Sequence, residues 1–209
     1  MKPTMSSSIE KKIAASGIIA VLVIKQAVHA VTLAKILINS GITAMELTLR
    51  TEDAMEALKN ITTTVPEMFA GVGTVLEPTQ IIDAKKAGAD FAVSPGFNPK
   101  VLDAAIDLEF PFAPGISTPS DIEGAIGKGC RILKFFHAEG MGGLKYLQAI
   151  NSPYSFKNLQ YIPLGGLNAQ NMRSYLEAPE VIAIGGSWIA TSALIENQNW
   201  DQIARNADS

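Results

Sequence analysis

Short apolar runs alternate with amphipathic stretches along nearly the whole chain. Ile18–Ile24, Ala44–Arg50, Phe69–Val75, Phe91–Ser94, Phe112–Ile116, Ile132–Phe136, Tyr161–Leu164 and Val181–Ile184 are brief, β-prone runs bounded by turn residues, and they read as strands. Helical spacing fills the intervals, over Ala27–Asn39, Glu52–Thr63, Thr79–Ala87, Pro99–Asp107, Ser120–Gly127, Leu144–Ile150 and Ala169–Leu176. A short helical turn within Ser187–Ile195 and a last helix near Trp200–Asn206 follow the final strand. Gly41 and Gly88 close helices, while Asn168 and Ser120 stand where N-caps are expected. A polar helical lead-in, Ser7–Ala15 within residues 1–16, precedes the first strand.

This makes eight strand-then-helix units spaced by roughly 20–30 residues, the length of a minimal βα repeat. No linker, charge block or low-complexity segment divides them, so residues 1–209 read as one domain. Eight parallel strands can close into a (β/α)8 TIM barrel, for which ~200 residues is the lower end. The competing architecture is an open doubly wound sheet, which often carries GxGxxG. Gly71-Val72-Gly73 is the nearest match and lacks the third glycine. The strand count predicts an α/β fold, a TIM barrel of minimal size with an N-terminal helix.

Strand parity then locates polar residues. Met45, Leu47 and Leu49 share one face of the second strand; Glu46, Thr48 and Arg50 share the other. In an antiparallel sheet that polar face could meet water; in a barrel it faces the lumen, where packing alone does not account for it. In the sixth strand, Ile132, Lys134 and Phe136 share a face, which can put Lys134 opposite Glu46 and Arg50. An ammonium inside an apolar run either snorkels or pairs with an acid, or it serves chemistry. A lysine in a low-dielectric wall gives up its proton more readily, and the neutral amine attacks carbonyls. By the same alternation His137 falls on the outward face and reads as structural.

Composition narrows the functional classes. The 209 residues are 47% hydrophobic and 18% charged, as in a compact globular protein. A net charge of −3, with no Lys/Arg cluster among aromatics, argues against nucleic acid as a partner. The polar start does not resemble a secretory signal, and the run from Gly17 to Ile24 is far too short to span a bilayer, so no membrane role is expected. The single cysteine, Cys130, reads as a core residue of a reducing, cytoplasmic compartment. Two histidines, neither in HxH nor HExxH, leave no histidine-ligated zinc site, although a carboxylate-held Mg²⁺ stays open.

Active sites of TIM barrels occupy the C-terminal ends of the strands. There the chain has Gly73-Thr74, Ser94-Pro95-Gly96 and Pro114-Gly115-Ile116-Ser117-Thr118, small residues and prolines that can keep space for a ligand. The last two strands carry Gly165-Gly166 and Gly185-Gly186-Ser187; loops after strands seven and eight often bind phosphate through freed N–H groups.

These stretches resemble the 2-keto-3-deoxy-6-phosphogluconate (KDPG) / 4-hydroxy-2-oxoglutarate (KHG) aldolase family. The matching segments are MELTLRTEDAMEAL (45–58), GVGTVLEPTQ (71–80), FAVSPGFNP (91–99), PGISTPSD (114–121), LKFFHAEGMGGLKYLQAI (133–150), PLGGLNAQN (163–171) and IAIGGSW (182–188). The resemblance implies a class I, Schiff-base aldolase with no cofactor or metal. Its substrate would be a small 2-oxo acid, phosphorylated in the KDPG case, and its assembly a cytoplasmic homotrimer. Carried over, Lys134 forms the Schiff base and Glu46 is the general acid/base. Arg50 grips the pyruvate carboxylate with help from Thr74, Pro95 and Phe136 line the pocket, and Gly165, Gly166, Gly186 and Ser187 form the phosphate site. Two positions depart from the family pattern: Leu164 stands where threonine is usual, and His137 where proline is usual. Leu164 leaves 2-dehydro-3-deoxy-6-phosphogalactonate as an alternative substrate. On the residues alone, a phosphosugar isomerase or synthase, or a non-catalytic phosphosugar-binding barrel, would keep the glycine loops without needing Lys134 and Glu46 together.

Overall fold

The computed structural model describes residues 5–208. Its sheet contains, in chain order, β1 (Ile18–Leu22), β2 (Ala44–Thr48), β3 (Phe69–Gly73), β4 (Phe91–Val93), β5 (Phe112–Ala113), β6 (Gly115–Ile116), β7 (Ile132–Phe136), β8 (Gln160–Leu164) and β9 (Ile184–Gly186). All pairings are parallel, in the order β5-β4-β3-β2-β1-β9-β8-β7-β6. β5 and β6 are two halves of one strand interrupted at Pro114, so the ends of this order meet and eight strands form the ring. Proline has no N–H for a ladder, yet its carbonyl accepts from Lys134 N at 2.9 Å and carries the sheet across the break. Gly115 sits so close to the Pro95 backbone that a Cβ would lie 2.3 Å from its carbonyl carbon.

The helices are α1 (Ser7–Ser16), α2 (Ala30–Asn39), α3 (Ala54–Thr64), α4 (Pro78–Lys86), α5 (Pro99–Asp107), α6 (Pro119–Gly127), α7 (Gly143–Asn151), α8 (Met172–Leu176), α9 (Ser192–Glu196) and α10 (Trp200–Ala207). Boundaries depart from the sequence reading where local chemistry intervenes. Thr118, not Ser120, caps α6, because Thr118 and Asp121 close a reciprocal capping box around Pro119. Asn168 instead makes a turn, accepting from Gln170 N and Asn171 N, which delays α8 to Met172. The last strand is displaced to Ile184–Gly186; Val181 keeps only an isolated bridge to Tyr161. Of the lead-in, residues 1–4 lie outside the described residues. No helix among the described residues is long and apolar enough to cross a membrane.

Alternation along each strand divides the core in two. Met45, Leu47, Ala70, Val72, Leu133, Phe135 and Tyr161 pack outward into the helix layer. Ile19, Ala44, Phe69, Phe91, Ile132 and Ile162 fill the lumen, and Met5, Ile9 and Ile13 of the α1 region close its lower end. Phe69 stacks on Phe91 with ring centroids 5.0 Å apart. Gly71 makes this possible, since a Cβ there would stand 2.4 Å from the Phe91 ring. Apolar side chains thus plug the lower lumen, and the buried polar residues Glu46, Thr48, Ser94 and Lys134 lie above them.

Candidate active site

Above the aromatic layer, Glu46 of β2 and Lys134 of β7 reach across the lumen to each other. Lys134 Nζ donates to Glu46 Oε1 at 2.8 Å, and the two residues are only 4% and 2% exposed. Burying two charges carries a desolvation penalty that apolar side chains of similar volume would avoid, so such a pair is a poor device for stability alone. The Lys134 ammonium also lies 5.6 Å from the centroid of the Phe136 ring.

β3 has glycine at the level of Glu46 for a steric reason. A Cβ on Gly73 would fall 1.7 Å from Glu46 Oε1. Small residues at the strand ends were expected to hold space for a ligand; the space at Gly73 holds the Glu46 carboxylate. Gly73→Ala is therefore expected to push the carboxylate off Lys134, because the obstructing atoms are Oε1, Cδ and Cγ of the Glu46 side chain and none is backbone. A displacement near 1 Å lowers turnover by roughly 10²-fold. Steady-state kinetics beside a thermal melt checks this, and unchanged turnover would contradict it.

The pair sits at the floor of a cavity of about 390 Å³, within the usual range for small-molecule sites. Arg50, Thr74, Pro95, Phe136, Gly165, Gly166 and Ser187 all line it. Arg50 lies beyond the end of β2, where its Nε donates to Thr48 Oγ1 at 3.2 Å while the Thr48 hydroxyl donates to Leu22 O at 2.9 Å. That chain steadies the guanidinium at the rim. Thr74 has φ 60, a left-handed conformation that a β-branched residue rarely adopts and that commonly marks functional positions. Ser94 supports Pro95 from beneath, donating to Gly96 O at 2.7 Å and accepting from Gly115 N at 3.3 Å.

The glycine loops close the opposite wall. Gly165 and Gly166 have φ 98 and 81, so the turn after β8 needs glycine twice. Their carbonyls are tied back: Gly165 O accepts from Glu139 N at 3.0 Å, and Gly166 O from Asn171 Nδ2 at 3.2 Å. Both glycines line the cavity. Gly186 is not among the residues that line this cavity. Ala183 packs into the lumen and Ile184 into the helix layer, so Gly185 is the inward residue. Gly186 lies instead against Trp188, whose ring would stand 2.3 Å from a Cβ at that position.

Two further lining residues refine the reading. Val21 shares the lumen face of β1 with Ile19, and parity applied to β1 would have found it. His137 faces the cavity rather than leaning outward. Strand alternation ends with β7 at Phe136, and the His137 ring then lies against Gly165, where a Cβ would approach it to 2.8 Å. Its Nδ1 accepts from Gly140 N at 3.3 Å. Leu164, 4% exposed, also lines the cavity, and its side chain covers Gly185.

A family model described as KDPG and KHG aldolase matches residues 9–206. The KHG/KDPG aldolase of Escherichia coli K12 is 40% identical over 201 residues, which is 96% of this chain and 93% of that protein. The 2-dehydro-3-deoxy-phosphogluconate aldolase of Haemophilus influenzae is 38% identical over 200 residues, 96% of this chain and 93% of its own length. Among solved structures, the KDPG aldolase of Legionella pneumophila with pyruvate captured at low pH as a covalent carbinolamine intermediate aligns with a TM-score of 0.90 at 39% identity. It covers 95% of this chain and 96% of that one. The Zymomonas mobilis ZM4 enzyme with 3-phosphoglycerate aligns at 0.89 and 30% identity, covering 97% of this chain and 95% of that one.

Proposed function

This chain belongs to the KDPG and KHG aldolase family, and from that premise we propose that it is a class I aldolase. It cleaves 2-dehydro-3-deoxy-6-phosphogluconate to pyruvate and glyceraldehyde 3-phosphate, and 4-hydroxy-2-oxoglutarate to pyruvate and glyoxylate. The observation that carries the reading is the buried Lys134–Glu46 contact of 2.8 Å at the floor of a cavity whose far wall is the glycine turn.

The contact supplies both chemical roles from one proton. Passing it from Nζ to Oε1 leaves a neutral amine and a neutral acid, a nucleophile beside a proton donor. The amine adds to the C2 ketone, the acid protonates the developing oxyanion, and loss of water gives an iminium. Glu46, again a carboxylate, takes the C4 hydroxyl proton directly or through a water. The C3–C4 electron pair then moves into the iminium, releasing the aldehyde and leaving an enamine. Protonation at C3 and hydrolysis free pyruvate and regenerate the amine. Arg50 fits the C1 carboxylate, with Thr74 beside it, and Pro95 and Phe136 form the walls.

For the phosphate we assign the N–H groups of Gly165 and Gly166 with the Ser187 hydroxyl. Ser187→Ala should weaken the transition state for the phosphorylated substrate by about 1–3 kcal/mol, the worth of a hydrogen bond to a charged group. Values of kcat/KM for phosphorylated and non-phosphorylated substrates measure it; equal losses on both would remove Ser187 from the phosphate site. The apolar Leu164 on the cavity wall favours a second reading, in which the C4 epimer derived from galactonate is also cleaved. Rates on the two epimers decide between them. The family resemblance further leads us to propose a homotrimer working in the cytoplasm, in keeping with Val28 and Phe156, which are 75% and 72% exposed in the isolated chain.

A further inference from the structure

Among the buried titratable groups that the mechanism does not use is the phenol of Tyr175 on α8, a residue 2% exposed. Its O–H donates to Glu139 Oε1. Burial foremost, and then the bond to Glu139, push the Tyr175 phenol well above its ordinary range, so it stays a donor at every working pH.

Glu139 is in turn built against the glycine turn. Its N–H donates to Gly165 O at 3.0 Å, and the preceding Ala138 N–H donates to Leu164 O at 2.7 Å. Its aliphatic stem lies where a side chain on Gly166 would go, since a Cβ there would meet Glu139 Cβ at 2.6 Å and Cγ at 2.9 Å. On its other flank, a Cβ on Gly143 would stand 3.1 Å from Glu139 Oε1 and 3.2 Å from the Tyr175 oxygen. The segment after β7, the turn after β8 and α8 therefore meet at one carboxylate. A carboxylate free to swing toward the turn would repel an anion; the bond from Tyr175 fixes this one in place.

We infer that Glu139 and Tyr175 are positioning residues for the Gly165–Gly166 turn, holding its N–H groups in place for the substrate's phosphate. They touch neither the reacting atoms nor Lys134. The inference rests on the phosphate assignment made above and adds the residues that set its geometry.

Tyr175→Phe should raise KM for 2-dehydro-3-deoxy-6-phosphogluconate roughly tenfold, the scale of one hydrogen bond to a charged group. Its kcat on that substrate, and both constants for 4-hydroxy-2-oxoglutarate, should hold. Glu139→Ala, on a more exposed residue, should reproduce the effect and serves if the tyrosine variant does not fold. Glu139→Gln, whose amide carbonyl still accepts from Tyr175, should recover most of the lost affinity. Equal losses on both substrates, or failure of Glu139→Gln to exceed Glu139→Ala, would overturn the inference alone. A wild-type protein that treats the two substrates alike, and whose turnover inorganic phosphate does not inhibit, would overturn the phosphate assignment and this inference with it.

Discussion

Lys134→Met is expected to abolish cleavage, lowering kcat by roughly 10⁵–10⁶-fold, the scale seen when a covalent nucleophile is removed from an otherwise intact site. Without an amine there is no iminium, and without that electron sink the C3–C4 bond has nowhere to send its electrons. Methionine keeps the unbranched shape, so the aromatic layer below should stay packed. The substitution has a second, separable consequence. Glu46, 2% exposed, loses the cation 2.8 Å away, and breaking a buried pair from one side destabilises by about 3–5 kcal/mol. Removing both charges in Lys134→Met/Glu46→Gln should return most of that stability while activity stays absent. Denaturant midpoints for the two single variants and the double variant read the coupling. A double variant no more stable than its worse parent would contradict the account of the pair.

Glu46→Gln is expected to slow cleavage by about 10²–10⁴-fold, the usual worth of a general acid/base, while adduct formation with pyruvate remains possible. Glutamine preserves the size that Gly73 accommodates and can still accept a hydrogen bond, so what is lost is proton transfer to and from C4 and the carbinolamine. The loss should therefore fall on kcat more than on KM. Rapid-quench measurement of the C–C cleavage step against iminium formation separates the two. An unchanged kcat would take Glu46 out of the reaction and leave it a counter-ion only.

Much of this site is legible in the chain because a barrel strand obeys a period of two. Parity placed Glu46 and Lys134 on the lumen face, although they are 88 residues apart in sequence, and it correctly sent Leu133 and Phe135 into the helix layer. The same rule explains the failures, each of which lies where a strand stops or shifts. His137 follows the last residue of β7, so alternation no longer governs it, and its ring enters the cavity. The final strand lies at Ile184–Gly186 instead of Val181–Ile184, with Gly185 on the cavity wall.

The capping box at Thr118 and the turn at Asn168 depend on local hydrogen bonding that hydrophobic spacing does not encode. Gly73 illustrates the remaining difficulty. A glycine that makes room for a ligand and one that makes room for another side chain look alike in sequence, and only the packing distinguishes them. The roles of individual residues and the class of substrate came from the family resemblance, since spacing alone left isomerase and binding-protein readings open.

Lys134 is the residue expected to carry the covalent intermediate. Incubating the protein with pyruvate and sodium borohydride, then mapping the modified peptide by mass spectrometry, tests it most directly. A single reduced pyruvyl adduct is expected on Lys134, absent in Lys134→Met and retained in Glu46→Gln. An unmodified Lys134, or an adduct on any other lysine with activity lost in step, would contradict it.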